Sequence, residues 1–136
     1  MSGQGPRDAR TISLRRHELR TPVNHIIGYA DLLAEDAKDL GLAERLAALQ
    51  SLGVLGRQVL GLVDQLAAAD DTVALRVQLL EALAAVLATC DALEGEAGGA
   101  DADGLGRDLA KVRTACDRLK SLTAEPPRLG ERPPVA

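Results

Sequence analysis

The 136-residue chain has a formal net charge of −4, and 46% of its residues are hydrophobic but only 1% aromatic. That balance leaves no basic footprint for nucleic acid, and a core of Leu, Ala, Val and Ile suits close-packed helices better than a sheet. No unbroken apolar run approaches the length of a membrane span, MSGQGPRDAR has no apolar signal core, and the two cysteines make neither a disulfide framework nor a metal site, so the cytoplasm is the expected location.

Residues 1–9 contain Gly and Pro and read as a flexible N-terminus. A first helix is predicted from about Asp8–Ser13 to about Asp39. Leu19, Val23, Ile26, Ala30, Leu33 and Ala37 recur at alternating spacings of four and three, which makes a packing seam. His17, Thr21 and Asn24 form a polar strip beside it. Pro22 removes a mid-helix hydrogen bond, yet the apolar spacing stays in phase across it, so a kinked but continuous helix is expected. Gly41 closes the element.

A second helix spans roughly Leu42 to Ala69 and carries two parallel stripes. One runs through Leu42, Leu46, Leu49, Gly53, Gly56, Leu60, Val63 and Ala67, the other through Leu52, Leu55, Val59, Leu62 and Leu66. Together they form a face wide enough for two neighbours. Gly53, Gly56 and Gly61 mark close helix approach or simple tolerance, because the surrounding periodicity is unbroken.

Asp70-Asp71-Thr72 is a cap signal for a third helix, about Val73 to Glu94, with Leu75, Leu79, Leu83, Val86, Leu87, Cys90 and Leu93 on its apolar side. Gly95 to Gly104 reads as a loop. A fourth helix follows from Leu105 to about Thr123, burying Leu109, Val112, Cys116, Leu119 and Leu122. Residues 124–136 form a Pro-containing tail. A hairpin turning near Gly99 sets Cys90 opposite residue 108 or so and Cys116 nearer residues 82–84, so two buried free thiols are expected several turns apart.

The halves resemble each other. Leu14 onward can be laid on Leu75 onward at an offset of 61, and the second helix on the fourth at an offset near 60. The expected architecture is all-α: an antiparallel four-helix bundle over residues 10–123, built from tandem hairpins (10–69 and 70–123) about a pseudo-twofold axis. The offset of 61 pairs His17 with Gln78, Glu18 with Leu79, Arg20 with Glu81, Thr21 with Ala82 and Pro22 with Leu83, so the polar strip is not duplicated and the second half reads as scaffold.

The run HELRTPVNHIIGYADLL closely resembles the H-box of bacterial two-component sensor histidine kinases, in their dimerisation and histidine-phosphotransfer domain. The resemblance covers about residues 10 to 69, and the second half follows it only as a worn copy. It implies that His17 is the phosphoacceptor; an exposed imidazole offers a nucleophilic ring nitrogen. It implies that Glu18 orients or deprotonates the imidazole, that Thr21 holds the position linked to phosphatase action, and that Pro22 is the family's kink. Arg16, Arg20 and Asn24 would meet the phosphoryl group or the partner. Taken singly, His17 reads as a surface histidine, the flanking charges as a solvated helix face, and Thr21 as a hydroxyl bonded to its own backbone.

The chain contains no G-x-G-x-x-G, no P-loop and no acidic set for nucleotide-bound Mg²⁺, so autonomous kinase activity is not expected. The resemblance then implies a histidine phosphotransfer protein that exchanges a phosphoryl group between His17 and a response-regulator receiver aspartate, or assists its dephosphorylation. No cofactor is bound by the chain and Mg²⁺ is expected on the receiver; a sensor kinase in trans is a further partner. The alternatives are a noncatalytic adaptor that binds a receiver, kinase or other regulator, and a fragment of a larger sensor kinase. Closure of the tandem hairpins on themselves implies a monomer, with a dimer as the alternative.

Overall fold

The computed structural model describes residues 9–68, 73–97 and 102–124. The expected flexible ends at 1–8 and 125–136, the cap signal Asp70-Asp71-Thr72 and the centre of the 95–104 loop lie outside the described residues. Four helices follow in order: α1 Ala9–Asp39, α2 Ala43–Ala67, α3 Val73–Ala97 and α4 Ala102–Ala124. Helix α1 packs against α2 and α4, and α3 against α2 and α4, while among the described residues the backbones of the diagonal pairs α1/α3 and α2/α4 do not approach closely. The result is an all-α four-helix arrangement of two packed hairpins.

The seam read from α1 is the one that is buried: Leu19, Val23, Ile26, Ala30, Leu33 and Ala37 are all at most 5% exposed. Pro22 is buried in the same helix, which continues through it as one α-helix. In α2 both stripes are used. Leu49, Gly53, Gly56, Val63 and Ala67 from one, and Leu52, Val59 and Leu66 from the other, are buried, as a helix with two neighbours requires.

Gly41 ends α1 at φ +71°, a conformation that glycine adopts without a Cβ penalty. Leu42 N–H donates to the Ala37 carbonyl at 2.9 Å and Gly41 N–H to that of Lys38 at 3.1 Å. This is the paired-bond cap that satisfies the last carbonyls of a helix. Leu42, packed on the core beside buried Ala37, adds the hydrophobic contact that accompanies it.

Several boundaries differ from expectation. Gly95 is helical, α3 runs to Ala97 and α4 starts at Ala102, so the loop is shorter than its Gly-rich composition indicates. Core packing overrides the modest cost of helical glycine. Helix α2 ends at Ala67, two residues early. Leu122 is only half-buried, whereas Leu105, Ala115 and Thr123 are buried; Thr123 donates its hydroxyl to the Leu119 carbonyl at 2.9 Å, which makes its burial tolerable.

The repeat register also needs correction. An offset of 60, not 61, carries buried Leu19, Val23, Ile26, Ala30 and Leu33 onto buried Leu79, Leu83, Val86, Cys90 and Leu93. The same offset carries Leu49, Leu52, Gly56, Val59 and Val63 onto Leu109, Val112, Cys116, Leu119 and Thr123. The shared Leu-Arg start favours 61 in sequence; burial, which decides the helix face, favours 60 along these seams.

Both cysteines are buried and free. Burial pushes Cys90 up to about 11 and Cys116 up to about 12, so neither is a ready nucleophile. They lie closer than the hairpin estimate had them. Arg113 binds Glu94 at 2.8 Å and Asp91 at 2.7 Å, which sets the turn of α4 before Cys116 beside the 91–94 turn of α3 that follows Cys90.

The unbroken-run criterion for membrane spans also proves too strict. Over 18-residue windows α2 and α3 reach mean hydropathies of 1.4 and 1.7, enough for a span by length and composition. Core helices of a bundle have the same composition, and both supply buried seams here.

The glycines of α2 divide into two kinds. A Cβ at Gly56 would meet Ile27 Cγ1 at 2.8 Å and Ile26 Cγ2 at 3.4 Å, whereas one at Gly61 would meet nothing within 4 Å. Gly56→Ala is therefore expected to be neutral to destabilising, overpacking at about 1–3 kcal/mol offsetting a helix-propensity gain of about 1 kcal/mol. Gly61→Ala is expected to stabilise by about 0.4–1 kcal/mol. Urea unfolding of both variants checks the ordering; a Gly56→Ala protein at least as stable as Gly61→Ala would contradict close packing at Gly56.

Candidate functional site

The polar strip of α1 faces solvent. His17, Glu18, Arg20, Thr21 and Asn24 are all exposed, flanking the buried line of Leu19, Pro22 and Val23. The packing seam fixes this: with Leu19 and Val23 turned inward, positions 17, 20, 21 and 24 are carried outward. Among the described residues the His17 imidazole has no hydrogen-bond or ion-pair partner, so its ring nitrogens are open to a reactant.

Thr21 donates its hydroxyl to the His17 carbonyl at 3.0 Å. The bond is local and leaves the oxygen with acceptor capacity toward solvent. Glu18 makes no hydrogen bond or ion pair among the described residues, and neither does Asn24.

The two arginines are engaged. Arg20 grips Asp64 of α2 with two parallel bonds, Nε to Oδ1 at 2.8 Å and Nη2 to Oδ2 at 2.7 Å. Arg16 Nε lies 3.7 Å from the same Oδ1. Asp64 thus gathers both guanidinium groups on the α2 side of His17 and balances part of their charge. The Arg20 bonds hold its carboxyl below the usual carboxylate range, partial burial opposing them. The sequence gives no pattern that marks Asp64, which sits 44 residues from Arg20; only hairpin closure joins them.

On the opposite flank, α1 and α4 enclose a groove of about 510 Å³. Glu18, Thr21, Pro22, His25 and Tyr29 line one wall, and Lys111, Thr114, Ala115 and Arg118 the other. The Lys111 ammonium sits 5.5 Å from the Tyr29 ring centre, within cation–π range. Tyr29 is half-buried against the core, in line with a packing role, and His25 is exposed along the groove. Lys111 and Arg118 were not singled out from the sequence. Their spacing on either side of Thr114 marks one helix face, but not which neighbour that face meets.

The corrected offset changes the pairing of the strip with the second half. Ser13, His17, Arg20 and Asn24 correspond to Val73, Val77, Leu80 and Ala84, all exposed. The strip is still not duplicated: where α1 shows solvent a histidine and an arginine, α3 shows apolar side chains. Among the described residues no group of His, Cys, Asp and Glu is placed to hold a metal ion.

No protein-family model, no curated protein sequence and no solved structure matches the chain.

Carbon-detected NMR titration should find the Asp64 carboxyl ionising below the ordinary value of about 3.9, and Arg20→Ala should move it upward. Because the folded value is depressed, whatever stability the pair contributes is present above the unfolded value and is lost as pH falls through the folded one. An unchanged Asp64 titration in Arg20→Ala would remove the fork as its cause.

Proposed function

We propose that the chain is a histidine phosphotransfer module of a two-component pathway, with His17 as the phosphoacceptor. The observation that carries this reading is the placement of HELRTP. Its histidine is exposed and unpartnered on a long helix, with Thr21 one turn on and the flanking apolar positions buried. The resemblance to the histidine kinase phosphotransfer domain supplies the chemistry.

The reaction is an in-line displacement. A neutral His17 ring nitrogen attacks the phosphorus of a receiver phospho-aspartate. The new N–P bond forms as the acyl O–P bond breaks, and the aspartate leaves as a carboxylate. Mg²⁺ on the receiver spreads the charge of the transferring group. Glu18, the next residue along the helix, takes up the ring proton or orients the imidazole as the transfer proceeds. Arg16 and Arg20, tethered through Asp64, present positive charge next to the nucleophile. Thr21 positions water when the flow is toward dephosphorylation. The chain has no nucleotide-binding motif, so the phosphoryl group comes from outside it.

One observation favours a second reading, a noncatalytic adaptor: both arginines nearest His17 are already satisfied by Asp64, leaving the strip as a recognition surface.

Incubation with a panel of phosphorylated receiver domains should add one acid-labile phosphoryl group, read by intact mass, and His17→Ala should abolish it. Binding without transfer would select the adaptor, and neither binding nor transfer would remove both readings.

The ring of contacts α1–α2–α3–α4–α1 makes the bundle internally complete, so we further propose that the chain works as a monomer. Light scattering across a concentration series should return a monomer mass; a stable dimer would contradict internal closure.

A further inference from the structure

The 60-residue offset gives the α1/α4 groove an internal control. It carries Glu18, Thr21, Pro22 and His25 onto Gln78, Glu81, Ala82 and Ala85, and Ala115 and Arg118 back onto Leu55 and Gln58. Those six residues line a second groove, between α2 and α3, also of about 510 Å³. The two grooves are therefore twins in backbone and differ in side-chain chemistry.

The difference is directional. The α2/α3 groove is lined by Gln58, Gln65, Gln78 and Glu81 with small or aliphatic residues between them, and holds no cation and no ring. The α1/α4 groove holds Arg118 where its twin has Gln58, and Tyr29 and Lys111 where the offset gives Thr89 and Ser51. It also holds His25 in place of Ala85. Among the described residues, neither Lys111 nor Arg118 has a carboxylate within ion-pairing distance, whereas Arg16, Arg20, Arg57 and Arg113 all do. Glu18 is the one carboxylate on the lining, so the groove is net positive. Pro22, Ala115 and the Tyr29 ring supply apolar lining in the same groove as the two cations.

We propose that the α1/α4 groove is a binding site for a small organic anion, a molecule with a ring-sized apolar body and a phosphate or carboxylate head group. The head group is held by Arg118 and Lys111, and the body lies on Pro22, Ala115 and Tyr29. No carboxylate among the described residues neutralises either cation, and the Lys111 ammonium is held at the Tyr29 ring, over which the ligand's body would lie; a groove of this size matches small-molecule sites. An occupant would cover Glu18 and Thr21, beside His17. The site stands independently of phosphotransfer at His17.

The test uses naphthyl phosphate as probe, with uncharged naphthol and inorganic phosphate as comparators, read by amide chemical shifts of the full chain. Saturable shifts are expected along 18–29 and 111–118, with the α2/α3 groove unmoved. Lys111→Ser and Arg118→Gln install the twin's residues at exposed positions, and each should weaken binding about tenfold, the loss of one charge-assisted hydrogen bond. Circular dichroism confirms that the variants keep their helices. Shifts of equal size in both grooves, affinity unchanged in the double variant, or no saturable shift would each overturn the proposal. Inorganic phosphate binding as tightly as naphthyl phosphate would overturn its apolar part.

Discussion

Without Phe or Trp, this protein fills its core mainly with Leu, Ala, Val and Ile, with the two cysteines among them. Small and medium side chains leave voids unless helices approach closely and their seams interlock in phase. The contact of Ile26 and Ile27 with the backbone at Gly56 is where that demand is clearest. It fixes the height and rotation of α2 against α1. With α2 so set against α1, Asp64 comes within reach of Arg20.

The same requirement explains why the two halves agree in burial while differing in surface. A bundle closed from tandem hairpins needs each seam at the same phase, so the inward positions match at an offset of 60 even where identities have diverged. Both hairpins are also clasped by ion pairs at corresponding points. Asp31 binds Arg57, and Asp91, 60 residues on, binds Arg113. The arginines are not at equivalent positions: Arg57 folds back onto the Gly53 carbonyl, and Gly53 is the position that corresponds to Arg113. The clasp is kept and its residues are reassigned.

Outward positions answer to no such rule, and there the molecule is asymmetric. One face of α1 shows solvent His17 and Arg20, while α3 shows Val77 and Leu80 at the matching positions. One groove carries two cations without a carboxylate partner among the described residues and a ring, while its twin carries glutamines and a glutamate. Asymmetry on a symmetric frame separates what packing requires from what it leaves free. Both departures converge on the region around His17, Thr21 and His25, where α1 meets Lys111 and Arg118 of α4.

The sequence by itself determined the number and order of the helices, the α1 seam residue by residue, the Gly41 stop and the exposure of the strip. Each depends on periodicity along one helix or on local backbone preference, and neither needs a distant partner. What only the tertiary structure decided depends on how separate helices meet. The repeat register moved by one residue, because the Leu-Arg start is exposed or half-buried surface while the register is set by burial. The cysteines drew together because Arg113 ties the α3 and α4 turns. The arginines flanking His17 proved to be held by Asp64. The groove beyond them exists only because α4, about 90 residues along the chain from α1, packs against it.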